Sequence, residues 1–242
     1  MDKPLAEVGE DDVIRLFRSI QFRRSLKQAA TFTKGTGYES AFRVIRDFYL
    51  GSYYVSRILE GTTENFATEN RTYAGELADF DFGEQTVPFD CCYRFLNLHF
   101  HPDITKCPIP SYPDLLTSQT SLEDWEAYER VDVRPIIGVA HVLQDDRIVT
   151  LLYQKSIRGD IEQTHAFREL KVNFPKIDFV DPLDVVDYLD ASGLFHADIL
   201  TLEKKHAYRP DEKDYNKLRR FAHTPKRQSI ISRQFQAGYI DL

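Results

Sequence analysis

Pro102 ends a run of β-forming residues that begins at Cys92 and reads Cys-Tyr-Arg-Phe-Leu-Asn-Leu-His-Phe-His. Proline offers no N–H to a ladder, so the run predicts a strand over 92–101 that stops there. Side chains at i and i+2 leave a strand from one face, which aims the imidazoles of His99 and His101 the same way at its end. A strand cannot stand alone, and the rest of the chain supplies its neighbours. Residues 11–30 carry Val13, Ile14, Leu16, Phe17, Ile20, Phe22, Leu26 and Ala29 on a mostly helical period. They predict an amphipathic helix that breaks near Phe22 and ends by Lys34-Gly35. Two β-rich runs, 38–48 and 53–59, flank Leu50-Gly51-Ser52 and read as a hairpin. Runs 135–144 and 147–154 read as a second hairpin around Asp145-Asp146.

Other stretches are less regular. Residues 61–90 are acidic and threaded with Gly, Asn and Thr; they read as irregular with one short helix. Residues 103–110 form a loop, and Ser111 opens a short helix. Beyond Ser156 the pattern predicts a strand over 167–174, a helix over 181–189, a strand over 195–202 and a charged helix from Asp211 to about His223. The fold class is α/β: a mixed central sheet with an N-terminal helix and flanking helices, followed by an α+β C-terminal extension.

Composition narrows the functions open to such a chain. It has 242 residues, of which 42% are hydrophobic and 29% charged, enough to bury a proper core. The 31 Lys and Arg against 38 Asp and Glu leave a net charge of -7, which makes nucleic acid a poor default partner. Cys91, Cys92 and Cys107 form neither an even disulfide framework nor a Cys-x-x-Cys zinc pair, and suit a reducing compartment. The first residues lack a basic and then apolar leader, and the longest apolar run, Ile136 to Leu143, is far too short to span a membrane. These features predict a cytoplasmic protein with no membrane partner.

The residues that carry chemistry follow the predicted strand. After His99-Phe100-His101-Pro102 comes Ser111-Tyr112-Pro113-Asp114. Two imidazoles form a two-toothed metal clamp, and a carboxylate such as Asp114 would complete three protein ligands and leave a fourth position open, the arrangement of a catalytic zinc site. Each piece also has a structural reading. The histidines can be a half-buried pair, and Ser-x-x-Asp at a helix start is close to a capping box.

His-x-His-Pro followed by Pro-Ser-x-x-Asp-Leu resembles the JAMM motif of the MPN-type (JAB/Mov34) metalloproteases, among them zinc-dependent deubiquitinating isopeptidases and their prokaryotic relatives. The likeness covers roughly residues 10–156. It divides the chain into an MPN-like domain over 1–156 and an extension over 157–242 packed on it. The resemblance implies that His99, His101 and Asp114 hold Zn2+. It implies that Glu39, sixty positions before His99, takes a proton from the attacking water and returns it to the leaving amine, and that Ser111 donates a hydrogen bond to the oxyanion. Glu60, Glu76 and Glu84 remain alternatives for the base. The substrate implied is an amide of a protein or peptide, with the tail of a ubiquitin-like modifier laid along a sheet edge. The connection between His101 and Asp114 is longer here than is usual in that family.

Competing readings are weaker or of another class. An amidohydrolase or PHP-type barrel would need most of its length after this strand, and only 141 residues follow His101. A zinc deaminase would need His-x-Glu and a later Pro-Cys-x-x-Cys, which are absent from the sequence. Cys91 with His99 as base would be a cysteine nucleophile, although so close a cysteine reads more simply as core. RadC-like relatives share the motif and suggest a DNA-associated role, which the acidic charge opposes. The remaining alternative is a catalytically silent MPN-like scaffold, a binding module whose metal site is vestigial.

Overall fold

The computed structural model describes residues 10–47, 50–61, 81–87, 92–101, 110, 115, 135–142, 147–156, 161, 163–174, 182–203 and 206–208. Helices α1 (Glu10–Arg18) and α2 (Ile20–Thr36) meet at Ser19. The break expected near Phe22 falls here instead, because Ser19 takes an extended conformation and its hydroxyl caps the second helix by accepting the Phe22 N–H at 3.2 Å. Phe22 then lies in the first turn of α2, its ring 4.7 Å from Phe17 and 5.4 Å from Phe42. The helix runs past Lys34-Gly35 to Thr36. It stops where Gly37, at φ 74°, returns its N–H to the Thr33 carbonyl at 2.9 Å.

One mixed sheet of eight strands organises the molecule. The strands are β1 (Ser40–Asp47), β2 (Tyr53–Val55), β3 (Leu59–Glu60), β4 (Cys92–Phe100), β5 (Ile136–Val142), β6 (Ile148–Lys155), β7 (Phe195–Glu203) and β8 (His206–Tyr208). They lie in the order β2-β1-β4-β5-β6-β7-β8, with β3 also pairing β1. Both expected hairpins form, β1 with β2 and β5 with β6. Strands β4 and β5 run parallel and the other pairs antiparallel, so the class is mixed α/β. Strand β7 adds directly to β6 over eight paired positions, from Ile148↔Leu202 to Lys155↔Phe195.

The strand expected over 167–174 is a helix, α3 (His165–Asn173). Thr164 caps it, accepting the Phe167 N–H at 3.1 Å, and Phe167, Leu170 and Phe174 bury one helical face. Helix α4 (Pro182–Ala191) occupies the place expected for a helix over 181–189. The described part of 61–90, residues 61 and 81–87, is irregular. The short helix within 62–80 and the charged helix over 211–223 lie outside the described residues.

The two sheet faces bury different partners. On one, α1 and α2 pack Leu16, Phe17, Phe22, Leu26 and Ala29 against Phe42, Val44, Leu96, Leu98 and Phe100. On the other, α3 and α4 pack Phe167, Leu170, Val185 and Leu189 against Ile137, Val139, Val149, Leu151 and Ile199. Helix α2 is also latched to the start of β1. The Thr33 and Ser40 hydroxyls are 2.7 Å apart, and Ser40 donates to the Ala29 carbonyl at 2.9 Å, all buried. This latch sits one residue from Glu39.

Candidate metal centre

The face under α3 and α4 is largely apolar over β5–β7. Towards β1 and β4 the same face turns polar, and the pairing shows why. Ala41 stands opposite His99 and Arg43 opposite Asn97, while His99 in turn stands beside Val139. Alternation therefore puts Glu39, Ala41, Arg43, Asn97, His99 and His101 on one side of the sheet. Arg43 and His101 are buried. The buried Asn97 carbonyl oxygen has no hydrogen-bond partner among the described residues. An unsatisfied buried acceptor is costly, so this floor calls for a further hydrogen-bond donor or an ion.

Three of the sequence-predicted residues meet at the edge of this floor. The Nε2 atoms of His99 and His101 are 3.0 Å apart, with ring centroids 4.9 Å apart. The Glu39 carboxylate lies 4.0 Å from His101 Nε2, with side-chain exposures of only 12% and 8%. Local structure explains the meeting. Strand β4 ends at Phe100, β1 begins at Ser40, and Ser40 pairs with Phe100, so the residues just outside the two strand ends face each other. Gly61 donates its N–H to the Glu39 carbonyl at 2.9 Å, which holds that end of β1 against β3.

The imidazole pair fits a metal ion. At Zn–N distances of about 2.0–2.1 Å, a tetrahedral ion sets two nitrogens roughly 3.3–3.4 Å apart, a few tenths of an ångström from the separation seen. The Glu39 carboxylate lies beyond hydrogen-bonding distance of the His101 nitrogen, at 4.0 Å. Among the described residues no three His, Cys, Asp or Glu side chains form a group that could hold an ion. Asp114 and Ser111 lie outside the described residues. Leu115, which follows Asp114, is described, and it is fully buried in the apolar cluster on the histidines' face of the sheet.

The other candidate bases fall elsewhere. Glu60 pairs with Ser40 and is exposed on the side of the sheet that carries α2, Glu84 is exposed, and Glu76 lies outside the described residues. Cys91, the candidate nucleophile, also lies outside them. Cys92 is buried and packed with Ile45 and Phe82, at the far end of β4 from the histidines. In that cluster burial first, then the neighbouring Cys92 and Asp47, push the Tyr54 phenol above its ordinary value.

A further imidazole lies on the same face of the sheet: His141 is two residues beyond Val139, the partner of His99 in the parallel pairing. His141 is 3% exposed. It sits inside the apolar run Ile136 to Leu143, and the sequence alone does not single it out, because its neighbourhood is set by which strands lie side by side. No protein-family model matches the chain, and no curated protein matches it. Among the described residues no helix is long and apolar enough to cross a membrane.

Proposed function

We propose that the protein is a zinc-dependent peptidase of the JAMM type, with an MPN-like domain over 1–156, that hydrolyses an amide bond, with an isopeptide to a ubiquitin-like modifier as the favoured substrate. The supporting observation is the meeting of His99, His101 and a carboxylate from sixty residues upstream at the joined ends of two strands. In this reading His99, His101 and Asp114 hold Zn2+, which supplies Lewis acidity and lowers the pKa of a coordinated water towards 7. Glu39 moves the proton from water to the leaving amine, and its burial beside His101 keeps competing water away from that carboxylate. The Ser111 hydroxyl donates to the oxyanion as charge develops. A reducing cytoplasm is the proposed setting, consistent with the buried thiol of Cys92.

Metal analysis by mass spectrometry of protein purified without chelator should find one zinc per chain, and His99→Ala should lose it. Glu39→Gln should keep the zinc and the fold while lowering the rate on a panel of isopeptide and linear fusions by about 10²–10⁴-fold. Chelator should abolish cleavage and added zinc restore it. Chelator-resistant cleavage would reject the mechanism. Stoichiometric zinc or none, with no cleavage of any fusion, would favour the silent scaffold.

A further inference from the structure

Away from the histidines, on the other side of the sheet, one face of α2 borders an open groove of about 960 Å³. Ile20, Arg23, Arg24, Lys27, Gln28 and Thr31 follow the spacing of one helical stripe and form one wall. Arg57 and Glu60, from the β2–β3 edge, stand on the other. Four cations thus line one groove of a chain whose net charge is -7. Among the described residues Arg24 and Lys27 make no ion pair, and both are exposed. Arg57 already shows what the groove takes: its guanidinium holds the Asp81 carboxylate at 2.8 Å, in a contact where both side chains remain more than half exposed. So exposed a pair contributes little, and a second carboxylate can compete for it.

We propose that this groove docks an extended acidic segment of a partner protein, with carboxylates on Arg24, Lys27 and Arg57 and an apolar side chain against the exposed Ile20. The stripe from Ile20 to Phe32 rises about 18 Å, which an extended peptide covers in about five or six residues. A polyanionic nucleic acid would meet the same cations. It would also meet the net negative charge of the rest of the molecule, which a short acidic peptide of matched length avoids. This docking goes beyond the peptidase reading and does not need the metal. Glu60 lines the groove on the α2 side of the sheet, opposite the face that carries Glu39 and the histidines, so docking there leaves the candidate site open.

Fluorescence anisotropy of the full chain with a labelled six-residue peptide of four glutamates and two leucines tests the proposal. Saturable binding is expected, weakening as salt rises, because the contacts are exposed charges. The double reversal Arg24→Glu/Lys27→Glu, at two exposed helix positions, should weaken it by about tenfold or more, and Lys27→Ala by less. Circular dichroism should show the same helix content for all three proteins. Absence of saturable binding, unchanged binding by the double variant, or equal competition from a six-nucleotide single strand would each overturn the proposal. Zinc content and cleavage are read separately, so failure here leaves the peptidase reading standing and the converse also holds.

Discussion

Gly138 lies in β5 between Leu98 of β4 and Leu152 of β6. A Cβ placed on it would come within 3.1 Å of the Leu152 side chain and 3.2 Å of the Leu98 side chain, both buried across the neighbouring strands. Gly138→Ala should therefore overpack the sheet centre and cost about 1–3 kcal/mol, read as a lowered urea midpoint with an unchanged slope. A neutral or stabilising result would mean that the leucines repack freely. The site residues were legible at this scale to different degrees. The shared face of His99 and His101 follows from the period of a strand alone, and the short separation of their Nε2 atoms is its consequence. Glu39 could be singled out only through the family resemblance, since nothing local distinguishes it from Glu60 one pairing step away. The place of His141 depends on β4 and β5 lying side by side in parallel, a contact between residues some forty positions apart in sequence that no local pattern records.

At the scale of elements, and among the described residues, a single fitting period agrees with the structure, as in β4 and α4. The exception is instructive. Leu170, Val172 and Phe174 alternate as a strand would, while Phe167, Leu170 and Phe174 recur as a helix would, and the two patterns differ in what becomes of Phe167 and Val172. In α3 Val172 is 49% exposed, and the residues of the helical pattern are buried. Val172→Lys should then change stability by no more than about 0.5 kcal/mol, whereas Phe167→Ala should cost about 3–5 kcal/mol by leaving a cavity under the helix. Thermal unfolding of both variants distinguishes them. The latch between α2 and β1 yields another expectation. Ser40→Ala removes the acceptor of the Thr33 hydroxyl and the donor to the Ala29 carbonyl, both in dry surroundings. The cost should be about 1–3 kcal/mol, and because Glu39 is the preceding residue, cleavage should fall further than stability alone explains. Equal activity per folded molecule would show that the latch serves the fold and not the carboxylate.

For the molecule as a whole, the question is whether residues 1–156 stand by themselves. The sheet says otherwise. Strand β6 has β5 on one side and β7 on the other, so without residues beyond 156 its outer edge exposes eight unpaired positions, a template for aggregation. The cluster on the histidines' face would lose Ile161, Phe167, Leu170, Phe174, Val185, Leu189, Leu194, Phe195 and Ile199, nine of its fifteen buried members. Burying one such side chain is worth about 1.5–3 kcal/mol, against a net stability of about 5–15 kcal/mol for an ordinary domain. Leu115 and Val139 belong to that same cluster, and Val139 is paired with His99, so loosening it loosens the floor beneath the imidazoles. A chain ending at residue 156 should therefore be insoluble or lack a cooperative urea transition and should fail to retain zinc, while the intact chain unfolds in a single transition by circular dichroism and by tyrosine fluorescence. A soluble, cooperatively folding, zinc-loaded fragment would show instead that the later strands and helices are an appendage to a site already complete without them.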